Sequence, residues 1–153
     1  MKKKRILLLG LALLLLVLSG CKGAEKKEAL PLREAVENAL RDRDGLVAYT
    51  AEDLTDLTGI MPEDYTEALF LVGSDSLSGR EIIAVRAVDA AALKRVVAAM
   101  ENYLEQRREE TRNYLPEVYQ LQTQAKVEYK NLTAVLIVGG SAADETGSFL
   151  AGE

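Results

Sequence analysis

The sequence predicts an α+β fold, with a small four-stranded, mainly antiparallel sheet and one long helix packed on a face. Three patterns predict it. Residues 90–113 carry apolar side chains at helical spacing, residues 67–72 and 81–88 form two apolar runs, and residues 126–130 alternate strictly before the nearly continuous apolar run 132–138. Together with two short helices near the start of the domain, these give the element order α-α-β-β-α-β-β.

The two early helices are predicted from their apolar spacing and their ends. Pro31 suits the first turn of a helix that buries Leu32 and Val36, and Gly45 marks where that segment stops. Thr50 then opens a second short helix, in a variant of the capping box with Asp in place of Glu three residues on. We expect Gly59 to end this helix.

The long helix is expected to begin after Asp89, which suits an N-cap. Its apolar stripe consists of Leu93, Val96, Val97, Met100 and Leu104. Beyond Leu104 the sequence turns polar, so we expect the end of this helix to project from the core. Pro116 then starts another short helical segment, which runs through Leu121.

Segments rich in turn-forming residues connect the strands within each predicted pair. The segment 73–79 is rich in Gly, Ser and Asp and suits a tight connection between adjacent antiparallel strands. Lys130-Asn131 suits a tight turn in the second pair, because Asn tolerates left-handed geometry. After Gly139-Gly140 the pattern weakens, so residues 141–153 are predicted to be a weakly ordered tail with at most one helical turn.

Composition excludes several classes of site. The 153 residues contain no histidine and one cysteine, which excludes a disulfide framework, the usual Cys/His zinc sites and histidine-based nucleophilic catalysis. The formal charge of −5 indicates no strongly basic nucleic-acid binder. The length suits one modest domain, which we place at residues 29–140.

The N-terminus predicts export. A basic cluster at residues 2–5 precedes an apolar run, Ile6 to Leu18, interrupted only by Gly10. A membrane-spanning helix needs roughly 20 apolar residues, so this shorter run is typical of a secretory signal peptide.

The residues after that run indicate a lipid anchor. Leu18-Ser19-Gly20-Cys21 resembles the bacterial lipobox, and the chain's single cysteine occupies the position that the motif requires. The resemblance implies a signal peptide at 1–20, cleavage between Gly20 and Cys21, and acyl chains such as palmitate on Cys21. Residues 21–28 would be the lipidated cysteine and a polar tether. We therefore expect a lipoprotein on the extracytoplasmic face of the cell membrane.

The net charge of the predicted mature domain limits the classes of partner that we expect. Residues 21–153 carry 15 basic and 24 acidic side chains, a formal charge of −9. Such a domain is repelled by nucleic acid and by anionic headgroups, so we expect it to contact the membrane through its lipid. The remaining partner is an envelope protein or a small ligand.

No metal or cofactor site is predicted. Asp42, Asp44 and Gly45 match only part of a calcium loop, and Gly139-Gly140-Ser141 lacks the spacing and the lysine of a phosphate loop. Exposed carboxylates on the long helix do not converge on a catalytic pair.

Tyrosines offer the one candidate surface. Four of the six lie in the second half of the chain, namely Tyr103, Tyr114, Tyr119 and Tyr129. Their spacing favours a position at the rim of the core, and a binding surface is the alternative. If such a surface exists, we expect it at Tyr114 and Tyr119 with Arg107 and Arg112.

A family resemblance accompanies these patterns. Glu81-Ile82-Ile83-Ala84-Val85, a long helix with a QRREE end, the segment Tyr114-Leu115-Pro116-Glu117-Val118-Tyr119 and a closing hairpin resemble a family of short bacterial, mostly Gram-positive lipoproteins known only as a domain of unknown function. The resemblance covers roughly Ala29 to Gly140. It implies the outer face of the cytoplasmic membrane and brings no catalytic residues.

Three functions remain open. The favoured hypothesis is a non-enzymatic binding or accessory module of the cell envelope, which predicts an exposed apolar or aromatic patch. The alternative is a small carboxylate-dependent envelope enzyme or an enzyme inhibitor, which requires a cleft with two acidic groups of separated pKa. A solute-binding lipoprotein that feeds a transporter is the third, although such proteins are usually much longer.

Overall fold

A five-stranded antiparallel sheet forms the centre of the computed structural model, which describes residues 29–75 and 77–153. The strands are β1 (Leu46–Ala48), β2 (Tyr65–Gly73), β3 (Glu81–Ala87), β4 (Val127–Lys130) and β5 (Thr133–Val138). They are arranged in the order β1-β2-β3-β5-β4, so β3 is the middle strand and β1 and β4 are terminal. The predicted signal peptide, the lipobox with Cys21 and the tether lie outside the described residues.

In the described residues, five α-helices cover the sheet. They are α1 (Leu32–Ala39), α2 (Ala51–Thr58), α3 (Ala90–Thr111), α4 (Pro116–Gln124) and α5 (Ala142–Gly152), with a 3₁₀ turn at Pro62–Asp64. In residues 29–75 and 77–153, none of these helices combines the length and the apolar composition that crossing a bilayer requires.

Alternating side chains of β2 and β3 build one core on each face of the sheet. Ile83 and Val85 pack with Met100 of α3, in a core that α2 also contacts. Ile82 and Ala84 point the other way, into a core formed with α1 and α5. The result is a sheet buried between two helical layers, which explains why β3 and β5 are nearly continuous apolar runs.

The α+β class and the antiparallel pairing are confirmed, and the predicted number of strands is wrong. The fifth strand, β1, is only three residues long and pairs with the end of β2, with Val47 opposite Val72. So short a strand has no detectable alternation, and Gly45 (φ +67°), at the end of the loop that follows α1, turns the chain into it.

The second helical layer also differs from the prediction of a single covering helix. Residues 141–153, predicted to be a weakly ordered tail, contain the eleven-residue helix α5. Phe149 is 2% exposed and packs against the sheet face opposite α3. Glu145 is also buried, where it accepts hydrogen bonds from the Arg41 backbone N–H and the Arg80 guanidinium. Because Glu145 lies on the buried side of α5, the sequence of this helix does not show a continuous apolar face.

The end of α3 beyond Leu104, predicted to project from the core, packs against α4 instead. Tyr103, Leu104 and Thr111 are buried. The Arg108 guanidinium donates to the Gln122 and Ala125 carbonyl oxygens at the end of α4. Because α4 folds back against α3, the last backbone carbonyls of α4 lie beside the end of α3, where a polar side chain donates to them.

Most predicted ends of the elements agree with the structure, but α1 ends at Ala39, before the predicted stop at Gly45. Thr50 and Asp53 form a reciprocal capping box at the start of α2, and Gly59 ends that helix in left-handed geometry. The Asp89 carboxylate accepts from the Ala92 N–H at the start of α3. Asn131 adopts φ 54° in the β4–β5 turn. These local signals predict element ends because each one satisfies a backbone group that the helix or turn leaves free.

Phe149→Ala is expected to lower the free energy of unfolding by about 3–5 kcal/mol, because it opens a cavity in the core shared by α1, α5 and the sheet. Denaturant unfolding of the full chain measures it. The control is Leu77→Ala at a 65% exposed position, which should change stability by less than about 0.5 kcal/mol. Equal, small effects of both substitutions would contradict the docking of α5.

Candidate functional site

An open groove of about 600 Å³ lies between α2 and the C-terminal half of α3, at the end of the sheet where β2 leaves and β3 begins. We call it the α2–α3 groove. Its apolar lining comes from Val47, Tyr49, Leu57 and Val72. Its polar lining includes Asp56, Asp75, Glu81, Tyr103, Arg107 and Glu110. The size falls in the range of ligand-binding clefts.

Strand register sets which side chains face the groove. Val72 pairs with Val47 on one side and with Glu81 on the other, so these three side chains share one face of the sheet. Phe70, two residues before Val72, lies in the core beneath α3 and identifies this face. The groove is therefore the open continuation of the α3-side core.

A buried polar cluster forms the inner wall of the groove. Glu81, 6% exposed, accepts a hydrogen bond of 2.8 Å from the Tyr103 hydroxyl. Its other oxygen accepts from Nη2 and Nε of Arg107 at 3.0 and 3.2 Å. Arg107 Nη1 donates to Glu110 at 2.8 Å. Both oxygens of Glu81 are thus occupied, which is how a protein accommodates a buried carboxylate.

Two pKa shifts follow from this arrangement. Burial, followed by the charge of Glu81 and the hydrogen bond to it, raises the pKa of Tyr103 far above its usual value of 10.0. Burial lowers the pKa of Arg107, yet Glu81 and Glu110 outweigh that effect, so its pKa lies above the ordinary range. At neutral pH the wall consists of a neutral phenol and a guanidinium between two carboxylates.

The outer part of the groove exposes apolar surface. Val47 and Leu57 are each 47% exposed, and Tyr49, 41% exposed, stacks edge-on against Phe70 with ring centroids 5.0 Å apart. Single exposed apolar residues are ordinary, but these belong to one concave surface. The combination of an apolar floor and a fixed polar wall is typical of binding sites.

The candidate surface from the sequence is only partly assembled. Arg112 lies over the Tyr119 ring at 5.9 Å, and Tyr114 is 84% exposed. Arg107 instead points into the groove and binds Glu81. The core-rim interpretation fits Tyr103, whose ring is buried while its hydroxyl reaches Glu81. Tyr129 is 59% exposed on the terminal strand β4.

Sequence reasoning missed most of the groove. From the sequence alone, Glu81 is only the first residue of an apolar run. One signal was available, since Glu81 is an acidic residue at the entry of a run that otherwise reads as a fully buried strand. Nothing in the sequence indicated that Tyr103 and Arg107, on a helix more than 20 residues away, would meet it.

Two other ion-pair clusters support the fold. Arg80 binds Glu145 at 2.8 Å and the Gly139 carbonyl at 2.6 Å, on the face opposite the groove. Arg86 binds Glu67 at 2.6 Å and Glu153 at 3.1 Å, at the other end of β3. Across the described residues, no group of three or more acidic, histidine or cysteine side chains is arranged to hold a metal ion.

The comparison with family models identifies the family. Residues 34–139 match the model described as Domain of unknown function (DUF4358), and the chain therefore belongs to that family. The resemblance to a domain of unknown function is thus confirmed. No curated protein and no solved structure matches the chain.

Tyr103→Phe is expected to lower the stability of the full chain at pH 7 by about 1.5–3 kcal/mol, because Glu81 loses a hydrogen bond to a charged group. A pKa raised by folding contributes stability that is present below pH 10 and lost above it. The difference between wild type and variant should therefore shrink by about 1 kcal/mol between pH 9 and pH 11. Urea unfolding at both pH values measures it.

The matched control is Tyr114→Phe, which removes a hydroxyl from an 84% exposed ring. It should change stability little at either pH. A constant difference for Tyr103→Phe across this range would contradict the protonated phenol in the cluster.

Proposed function

We propose that this protein is a lipid-anchored, extracytoplasmic binding or accessory module of the cell envelope that holds its ligand or partner in the α2–α3 groove. One observation carries the proposal, namely the concave apolar surface of Val47, Tyr49 and Leu57 beside the pair formed by buried Glu81 and half-buried Arg107. Because the pair is already bonded, a ligand meets a rigid wall and loses little free energy in ordering it.

Binding has more support than catalysis. Glu81 accepts from both Tyr103 and Arg107, so neither of its oxygens is free to act as a base or a nucleophile. Glu110 is exposed and bonded to Arg107. The alternative, a small carboxylate-dependent envelope enzyme or an enzyme inhibitor, would need these two groups to be released from Arg107 when substrate binds.

The anchor rests on the sequence Leu18-Ser19-Gly20-Cys21. The orientation rests on where the chain enters the fold. The Leu30 carbonyl is bonded to Arg86, and the Leu32 N–H is bonded to Glu67. This end of β3 is about 20 Å from Glu81, at roughly 3.3 Å per residue. A tether attached there leaves the groove at the end of the domain away from the bilayer.

Cys21→Ser is expected to abolish palmitate labelling, because the hydroxyl cannot form the thioether that carries the lipid. Radiolabelled palmitate incorporation and membrane fractionation in the native host measure it. The control is Ser19→Ala, which keeps a small residue beside the cleavage site and should leave labelling intact. Labelling of Cys21→Ser to the level of the wild type would contradict the lipoprotein assignment.

Photocrosslinking tests the groove. A benzophenone amino acid placed at Leu57 of the full chain should give a discrete adduct in cells, while one at Val88, 43% exposed and beyond the far end of β3, should not. Val47→Trp, which fills the groove, should remove the Leu57 adduct without unfolding the protein. The same adduct at both positions, or none at Leu57, would contradict the proposal.

A third position addresses the tyrosine surface. A crosslinker at Tyr114 reports on the surface formed with Tyr119 and Arg112. An adduct there that persists with Val47→Trp would move the binding site from the groove to that surface. The three positions therefore separate the groove, the tyrosine surface and non-specific contact.

A further inference from the structure

We infer that the occupant of the α2–α3 groove is a cationic segment of another polypeptide, with a lysine or arginine side chain at the acidic rim and an apolar neighbour on the groove floor. This inference rests on the proposed function and names the chemical class of its partner. It combines the charge of the groove, its exposed apolar floor and the terminal strand beside it.

The charge of the groove is unbalanced. Its lining residues include four with carboxylates, Asp56, Asp75, Glu81 and Glu110, and the guanidinium of Arg107; Arg80 also lines the groove, but its guanidinium does not face it. Arg80 is bonded to the buried Glu145 on the opposite face. Arg107 lies between Glu81 and Glu110 and is neutralised by them. Within the described part of the chain, Asp56 and Asp75 form no ion pair, although Asp75 Oδ1 accepts a hydrogen bond from the Leu77 backbone N–H.

The floor suits the aliphatic part of a basic side chain. Lysine and arginine place their methylene groups on apolar surface and keep their charge in a polar environment. Val47 and Leu57 provide the apolar surface, and the exposed ring of Tyr49 adds a face for a cation. An anionic ligand would instead meet the uncompensated charges of Asp56 and Asp75, and Arg107 has no free charge to offer it.

The adjoining strand favours a polypeptide over a small amine. Val47 belongs to β1, which is the terminal strand of the sheet and pairs only with β2 among the described strands. The outer edge of such a strand offers backbone donors and acceptors to an extended segment. A small amine gains nothing from that edge.

Two occupants that this protein could itself provide, its own tether and a second copy of the chain, are less favoured. The chain's own lysines at positions 22, 26 and 27 precede Leu30, which is bonded at the opposite end of β3. A second copy carries the same acidic excess, with a formal charge of −9 for residues 21–153. Like-charge repulsion opposes such a pair.

The test is calorimetric titration of the full chain in a neutral detergent with three probes. These are a blocked nonapeptide of alternating lysine and valine, the same peptide with glutamate in place of lysine, and 1,5-diaminopentane. Only the lysine peptide should bind, and its affinity should fall as salt is added. Binding of the glutamate peptide, or of the diamine as tightly as the peptide, would overturn the inference.

Charge reversal at one exposed position provides the matched control. Val47→Lys should raise the Kd of the lysine peptide at least tenfold, because it places a like charge on the floor. Val47→Glu removes the same apolar surface but adds an attractive charge, so its Kd should stay well below that of Val47→Lys. Asp56→Asn should raise it about two- to fivefold, and Glu101→Gln, an exposed acid of α3 outside the groove, should leave it unchanged.

The remaining outcomes separate the occupants. Equal loss of binding in both Val47 variants would overturn the electrostatic part of the inference. Peptide binding that appears only after lysines 22, 26 and 27 are replaced by glutamine would identify the tether as occupant and overturn it too. A dimer that Val47→Lys disrupts would identify a second copy of the chain as the occupant and would also overturn the inference. If the lysine peptide fails while crosslinking at Leu57 succeeds, the inference fails and the proposed binding function stands.

Discussion

The burial of β3 on both faces is the constraint on which the rest of the structure depends. A strand enclosed by two helical layers cannot leave a charge at its ends unpaired, because an isolated buried charge is very costly. Arg80 and Glu81 are adjacent, so they point to opposite faces. Arg80 binds Glu145 of α5, and Glu81 binds Arg107 of α3. The two charged residues at the start of β3 thus hold one helix on each face of the sheet. At the other end of β3, Arg86 binds the Leu30 carbonyl and holds the start of the domain in place.

The groove follows from how unevenly the helices cover the sheet. Helix α3 packs over β3, β5 and β4, while α2 contacts α3 more extensively than it contacts any strand. The short strand β1 continues the floor beneath the gap between these two helices. Because Glu81 needs partners there, Tyr103 and Arg107 are drawn to the inner wall, and the apolar side chains of β1 and α2 remain exposed. The same buried carboxylate therefore fixes α3 and shapes the groove.

The parts of the fold that local signals specify were predictable. Capping at Thr50 and Asp89, the apolar stripe of α3 and the turn at Asn131 each arise within a few residues, and their elements lie close to the predicted positions. The parts of the fold that depend on residues distant in the sequence could not be predicted. Glu145 reads as a solvated charge until Arg80, 65 residues away, is brought beside it. The groove was missed for the same reason, since its residues come from four segments that only the sheet register brings together.

Charge and apolar surface have different roles in the proposed binding module. The proposed anchor enters at the Arg86 end of β3, so the membrane contact and the groove use opposite ends of the domain. The acidic rim acts at a distance on an approaching cationic segment, but salt screens it within about 10 Å at 0.1 M ionic strength. The floor of Val47, Tyr49 and Leu57 acts only on contact and is not screened. Charge therefore governs how often a partner arrives, and the apolar floor governs how long it stays.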